Sequence, residues 1–350
     1  MYTGHTVRWR IILRLGWKPL IMLICYGTST VVAFKIFHWT FLQLPFTPSS
    51  AIGIAVVFYV GLKNSTAYER LWEARNIWGN IVNYSRQWGV NILNLVGPYT
   101  RAVQDGIEKP EHQPNEEEKN SLKNTQKELI MRHLAFINAL RYQLRQKLWW
   151  EQEHKEGRKI AADQGNADSH ETLMGAISPY LSIKEAQSYE HSPNAAVEIL
   201  HRQSKEIRDL WADRWIDSFH HTELMQLVGQ FFSGMGASER IKTFPFPRQY
   251  ATFSRLFIYL FCIVLPFSLI GEIHKELPEA IWLVIPLYVT IGWIFIMMEV
   301  IGGSSENPFE NAVNDVPISS LCTIVEIDLR RMMGETDLPE KPQPHNDILM

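Results

Sequence analysis

Cysteine is scarce in this sequence: Cys25, Cys262 and Cys322 are the three present, far apart and without a CxxC pair. That spacing excludes a disulfide framework and a thiolate zinc site. Catalytic signatures are missing as well. No Walker loop, GxGxxG or HExxH occurs, and Ser304 and Ser305, between Gly303 and Glu306, lack the context of a nucleophile elbow. No segment alternates apolar and polar residues over a useful strand length. Formal net charge is −3 over 350 residues, so overall balance suggests neither nucleic acid nor an acidic membrane surface as a partner. These gaps lead us to expect no enzyme, no cofactor and no bound metal.

What is present is uneven. Apolar residues make up 46% of the chain, an ordinary fraction, but they are gathered into blocks with the charges in the gap between. Residues 1–18 carry Arg8, Arg10, Arg14 and Lys18 and no acid, and no small-residue cleavage pattern of a signal peptide follows. The first apolar block runs from Pro19 to about Phe37, with Lys35 near its far end, able to snorkel. His38 to Ser50 lacks Lys, Arg, Asp and Glu and holds Pro45 and Pro48, as a re-entrant or tight outer connection would. Further blocks are Ala51–Leu62 (extended by Pro48–Ser50), Leu256–Gly271 and Ala280–Met298. About 20 apolar residues cross a bilayer as a helix, so the pattern predicts an all-α, multi-pass membrane protein with about four crossings. Several of the 12 tryptophans flank these blocks, as interfacial anchors do.

Basic residues set the orientation. They cluster at the amino terminus, at Lys63, Arg70 and Arg75, at Arg240, Lys242, Arg248 and Arg255, and at Arg330 and Arg331. The opposite short loops hold Lys275 against Glu272, Glu276 and Glu279. The positive-inside rule therefore predicts both termini and the long middle region in the cytoplasm, in a cell (inner or plasma) membrane. The organisation read this way is residues 1–62 with the first two membrane helices, a helical cytosolic region 63–250, membrane helices three and four in 251–301, and a cytosolic C-terminal segment 302–350. Helical patterns run from Asn64 to about Val96, Thr125 to about Glu151 and Asn194 to about Ala237. Gln104–Lys123, with Glu116, Glu117 and Glu118, and Glu153–His170 read as polar connections, and Gly334–Met350 as a loose tail.

The stretch Ala51–Trp78 organises the rest, because one continuous helix runs from the second apolar block into a region dense in charge and aromatics. Ile54, Phe58 and Leu62 fall at i, i+4 and i+8 on one face. Beside them lie Gly53, Val57 and Gly61, small enough for neighbouring helices to approach closely. The large stripe could project into a shared axis, or it could be lipid-facing bulk. On spacing alone the second explanation is the simpler. Val56, about 200° round the helix from Phe58, is the expected lipid-side control. His220, His221 and Glu223 have no partner cluster near in sequence and read as a solvated helix turn rather than a metal site. Glu310, Asn311, Asn314 and Asp315 lack EF-hand spacing and read as a capped turn.

Two long segments together resemble the bestrophin family, in particular its prokaryotic members. They are PFT…GIAVVFYVGLKNSTAYERLWEARNIWG, residues 45–79, and ENPFENAVNDVPISSLCTIVEIDLR, residues 306–330. RHLAFINALRYQLR (132–145) and GASERIKTFPFPRQY (236–250) support it, the latter resembling the family's G-x-x-E-R-I…P-x-P segment before the third membrane helix. The resemblance covers most of the chain in order and is weakest in 98–125 and 150–195.

It implies a pentameric ion channel with one axial pore, four membrane helices per subunit and a large helical cytosolic region. It also places three hydrophobic neck rings at Ile54, Phe58 and Leu62, which turns the stripe toward the pore. A cytosolic constriction would fall near Phe219. The position of the family's usual post-neck Arg is Lys63 here, an expected positive charge at the inner mouth that lacks a bidentate donor. The acidic run that clasps calcium in animal bestrophins is replaced by Glu310, Asn311, Ala312, Val313, Asn314 and Asp315. Small inorganic ions and the lipid bilayer are the implied partners, with chloride or other anions first and monovalent cations second. A non-conducting membrane scaffold or sensor is the rival of another class. A secondary transporter would call for inverted repeats, and none is visible.

Overall fold

The computed structural model describes residues 1–5, 9–97, 116–148, 171–345 and 347–349, and these carry helices but no strand. Helix α1 spans Trp9–Ile36 and leads through a 3-10 turn at Thr40–Leu42 into α2, Phe46–Leu95. The outer connection is tight: Leu44 N–H donates to the Phe267 carbonyl and the Ser49 and Ser268 hydroxyls meet. Pro45 caps α2 and Pro48 lies in its first turn, where a missing N–H costs no helical hydrogen bond. With 50 residues, α2 is about 75 Å long, more than twice a bilayer's hydrocarbon thickness. It crosses the expected boundary at 62/63 without a break.

Helix α3 is Glu116–Arg145. The polar connection expected up to Lys123 is thus helical from Glu116, while 98–115 and 149–170 lie outside the described residues. Three glutamates in its first turn suit the positive end of a helix dipole, so a run that reads as solvated loop is also a good start signal. Short α4 (Leu173–Ile177) and α5 (Ile183–Ser188) follow, capped by Thr172 and Ser182. The single run expected from Asn194 is two helices, α6 (Ala195–Ala212) and α7 (Ser218–Thr243). The chain turns between them at Arg214, whose φ is 61°, and Asp217 restarts the helix by accepting the His220 N–H at 2.7 Å. Helix α8 is Arg248–Glu276, α9 is Val284–Gly303 after a 3-10 turn at Pro278–Leu283, and α10 is Ile318–Met332.

Four helices are long and apolar enough to cross a membrane: α1, α2, α8 and α9, the last extended by its preceding turn. Their core joins Leu23, Val56, Val60, Phe261, Leu265 and Tyr288. A second core, outside the apolar spans, gathers Trp78, Trp88, Leu134, Phe136, Phe231 and Leu329 from α2, α3, α7 and α10. Because α2 contributes to both, its membrane half packing on α8 and α9 and its distal half on α7 and α10, it fixes each part against the other. The C-terminal segment is not loose. Ile348 bridges Tyr2, Met1 N donates to the Leu349 carbonyl at 2.5 Å, and the Thr3 N–H donates to that of Asp347 at 2.7 Å.

Inside the second core the polar groups are paired or neutral. Arg132 is buried and donates to Glu185 at 2.7 Å and Glu128 at 2.7 Å. Burial raises the Glu185 carboxyl, but the Arg132 hydrogen bonds outweigh it and hold the group below its usual range. His133 packs tilted against Phe231 with ring centroids 4.4 Å apart, and its Nε2 lies 2.8 Å from the Ser85 hydroxyl. Complete burial lowers its pKa from 6.5 to about 3, so this ring is neutral at ordinary pH.

Candidate functional site

Helix α2 has two unlike faces. Gly53, Val56, Val60, Lys63, Ala67, Ala74 and Trp78 form one buried stripe, at alternating spacings of three and four in the membrane half. The opposite side carries Ile54, Phe58 and Leu62, which are 72%, 68% and 54% exposed. The three expected neck residues thus stand in line on a face that this chain leaves uncovered. Of the small residues beside them, Gly53 packs against Phe261 of α8, whereas nothing lies within 4 Å of where a Gly61 side chain would start. Val56 is buried against the other membrane helices, not turned to lipid. The expectation that it is a lipid-side control is therefore corrected: at about 200° from Phe58 it faces the subunit's own core.

The Lys63 side chain, expected as a positive charge at an inner mouth, is 2% exposed within the chain and sits between two carboxylates. Its Nζ lies 2.5 Å from Glu299 Oε1 and 2.8 Å from Glu306 Oε1. The Ser254 hydroxyl donates to the other Glu299 oxygen at 2.6 Å. Asn64 Nδ2 donates to the Met298 carbonyl at 3.1 Å, and a methyl at Gly302 would collide with the same Asn64 side chain. A buried ammonium is stable only if its charge is matched nearby, and here the match comes from Glu299 in the last turns of α9 and Glu306 just beyond it. The polar knot ties α2, α8 and α9 together where their apolar spans end. Glu299 and Glu306 were not singled out in the sequence. The available signal was that Glu299 is the first charge after the uncharged run to Met298.

Below Leu62 the exposed face of α2 continues with Ser65, Tyr68, Glu69, Trp72 and Asn76. Tyr68 and Trp72 stack at 6.4 Å, and Glu73 beside them is held by Arg240 at 2.7 Å. Phe219, 85% exposed, lies in the first turn of α7. The His220, His221 and Glu223 cluster is spread out: Glu223 accepts from Asn91 at 2.8 Å, His220 sits 3.4 Å from Asp217, and His221 lies against Trp211. Among the described residues no three His, Cys, Asp or Glu side chains are arranged to hold a metal.

The 309–316 turn is built on Asp315. Its carboxylate accepts the backbone N–H groups of Phe309, Asn311 and Val316 at 2.6–2.7 Å and meets Arg145 at 3.0 Å. Phe309 and Asn311 have positive φ, 75° and 65°, so this fold-back depends on those hydrogen bonds. Asp315 is occupied in holding the turn, and Asn311 and Asn314 supply no charge beside it.

Comparison with known proteins places the chain among membrane channels of this architecture. The curated voltage-dependent anion channel-forming protein YneE of Salmonella typhi is 27% identical over 330 residues, covering 92% of this chain and 89% of that protein. The voltage-dependent anion channel-forming protein RSc3414 of Ralstonia nicotianae is 25% identical, covering 89% and 86%. A crystal structure of a bacterial bestrophin homologue from Klebsiella pneumoniae superposes with a TM-score of 0.70 at 21% identity, over 93% of this chain and 99% of that one. The family model for bacterial and fungal bestrophin proteins matches residues 5–331, and the chain therefore belongs to the bestrophin family.

Proposed function

We propose that the protein is an ion channel for small inorganic anions, built from five copies of the chain around one axis. In this reading α2 lines the pore, and Ile54, Phe58 and Leu62 form three apolar rings at its neck. The exposed apolar stripe on a helix whose other face is fully packed is the observation that carries it. In water such a stripe would have to be covered, and beside lipid the open Gly61 would have no close helix to accommodate. The relatives are named as anion channel-forming proteins, and that supports the ion class. A ring of five apolar side chains closes a narrow pore because water leaves it and a desolvated ion cannot cross. A modest rotation or dilation of α2 would open it. The basic flanks support a cytoplasmic setting for the termini and the helical extramembrane part, with the protein in the inner or plasma membrane. Phe219 would ring a second constriction there.

Monovalent cations are the second reading, and one observation favours it. Lys63 is neutralised in the polar knot, while Glu69 is exposed just below the neck face. The test is current through purified protein in planar bilayers under a potassium chloride gradient. A reversal potential near the chloride value supports anion conduction, and one near the potassium value selects the second reading. Phe58→Ala should raise the current most, since it removes the largest side chain of the three rings. Ile294→Ala, an exposed apolar position on α9, should leave it near wild type. Equal effects of the two changes would remove α2 from the pore. No current from either protein would favour the scaffold reading.

A further inference from the structure

At the end of α8 nearest the polar knot, a half-polar cavity of about 390 Å³ is lined by Arg248, Thr252, Arg255 and Tyr259, with Glu306 and Asn307 opposite. The four α8 residues are spaced i, i+4, i+7 and i+11, so they share one helix face and their polar ends converge on one space. Two guanidiniums therefore look into a single recess at the level where the apolar span begins. Arg255 forms no ion pair with a described residue. Glu306 lines the same recess, and its carboxylate shares the one Lys63 ammonium with Glu299, so two guanidiniums there face one partly compensated carboxylate. Asn307 contributes a buried Oδ1 that has no hydrogen-bond partner. From this recess an exposed apolar strip, Leu256, Leu260 and Ile263, runs along α8 toward the bilayer interior.

We propose that this recess binds the headgroup of an anionic phospholipid, and phosphatidylglycerol fits it best. The phosphate would take the two arginines, whose planar forks suit phosphate oxygens. The glycerol hydroxyls of the headgroup would lie on the Asn307 side of the recess. The acyl chains would lie along the apolar strip. Basic pockets between membrane helices on the cytoplasmic side hold such headgroups through the same combination of charge and depth. The inference rests on α8 spanning the membrane, and not on what the pore conducts.

The test uses the intact assembly released from vesicles of phosphatidylglycerol and phosphatidylcholine in equal parts, with retained lipid counted by native mass spectrometry. Wild type should retain phosphatidylglycerol roughly thirtyfold over phosphatidylcholine, the factor two interfacial arginines supply. Arg248→Gln with Arg255→Gln should abolish the preference, and Arg255→Gln alone should cut it by roughly fivefold. The oligomer mass and melting temperature of each variant should match wild type, since both side chains are at the surface. An unchanged preference in the double variant overturns the proposal. So does displacement of the lipid by inorganic phosphate at equal concentration, which would make the recess a soluble-anion site. Loss of the oligomer without loss of lipid preference also overturns it, by placing a neighbouring subunit in the recess. None of these outcomes depends on current.

Discussion

Between Phe46 and Leu62, α2 turns Ile54, Phe58 and Leu62 outward; between Lys63 and Leu95 it turns Ser65, Glu69, Asn76 and Asn80 outward. The buried stripe on its other side runs through both halves, small and aliphatic above Lys63 and joined by Trp78, Ser85, Trp88 and Asn91 below it. In the distal half most outward residues are polar because water is their neighbour, with Tyr68, Trp72 and Val90 the large apolar exceptions, so exposure and polarity largely agree. In the membrane half they part company. Lipid, a pore wall and a second subunit all accept an apolar side chain, so exposure there marks what the single chain leaves for others to cover. The point where the two regimes meet is also where the charge is buried. Lys63 is the first charged residue of the helix, placed where its apolar span ends.

The junction should be the most sensitive place to cut. Lys63→Met removes the ammonium and leaves Glu299 and Glu306 buried against each other without a cation. Breaking a buried pair by removing one partner costs about 3–5 kcal/mol. Melting in detergent should fall sharply, and Lys63→Met with Glu299→Gln should recover part of the loss because one uncompensated charge is gone. A Lys63→Met protein that melts like wild type would mean the two halves of α2 are held together by packing alone. Lys63→Glu, which would test charge at an open mouth, instead puts a third carboxylate into the knot and should fail to assemble.

Acid should separate the halves next. His133 titrates near 3 in the folded extramembrane core against 6.5 when unfolded. The unfolded chain therefore binds the extra proton between those values, and stability is lost as pH falls below 6.5. From pH 6.5 to 4.5 that amounts to about 2–3 kcal/mol. His133→Phe keeps an aromatic ring against Phe231 and Phe136 and should flatten this part of the pH profile. Equal acid sensitivity in wild type and variant, followed by melting at both pH values, would assign the loss to carboxylates instead.

The same division explains what could be read in the chain beforehand. The four spans and the long α2 were legible, because an uninterrupted apolar run has one physical use. The stripe Ile54, Phe58, Leu62 was legible as a face but not as a surface of known neighbour. The pairing of Lys63 was not legible because its partner Glu299 is 236 residues away, and no local pattern records a contact of that reach. Val56 was read wrongly for a related reason: in an all-apolar helix the buried and lipid sides look alike. The α3 start was missed where acids served the helix dipole, and the α6–α7 break where a non-glycine residue took positive φ. Glu306 sat inside a segment quoted for its family resemblance, yet its role needed the fold to bring it to Lys63.

The smallest expected effect bears most directly on the comparison. Gly53 and Gly61 belong to one small stripe, but the chain treats them differently. A methyl at Gly53 would stand 3.0 Å from Phe261 Cε2, while a methyl at Gly61 would meet nothing within 4 Å. Gly53→Ala should therefore disturb the subunit itself, costing about 1 kcal/mol as Phe261 shifts, and lower the melting temperature with the ring mass unchanged. Gly61→Ala should do the reverse. Within the subunit it gains about 0.5–1 kcal/mol from better helix propensity, and any penalty has to come from a neighbouring copy packed against that face. In mild detergent it should raise the dissociated fraction several-fold while leaving the melting of the released subunit the same or slightly higher. A Gly61→Ala ring as stable as wild type would mean that no second α2 approaches this stripe, and that the uncovered face of the membrane half belongs to lipid.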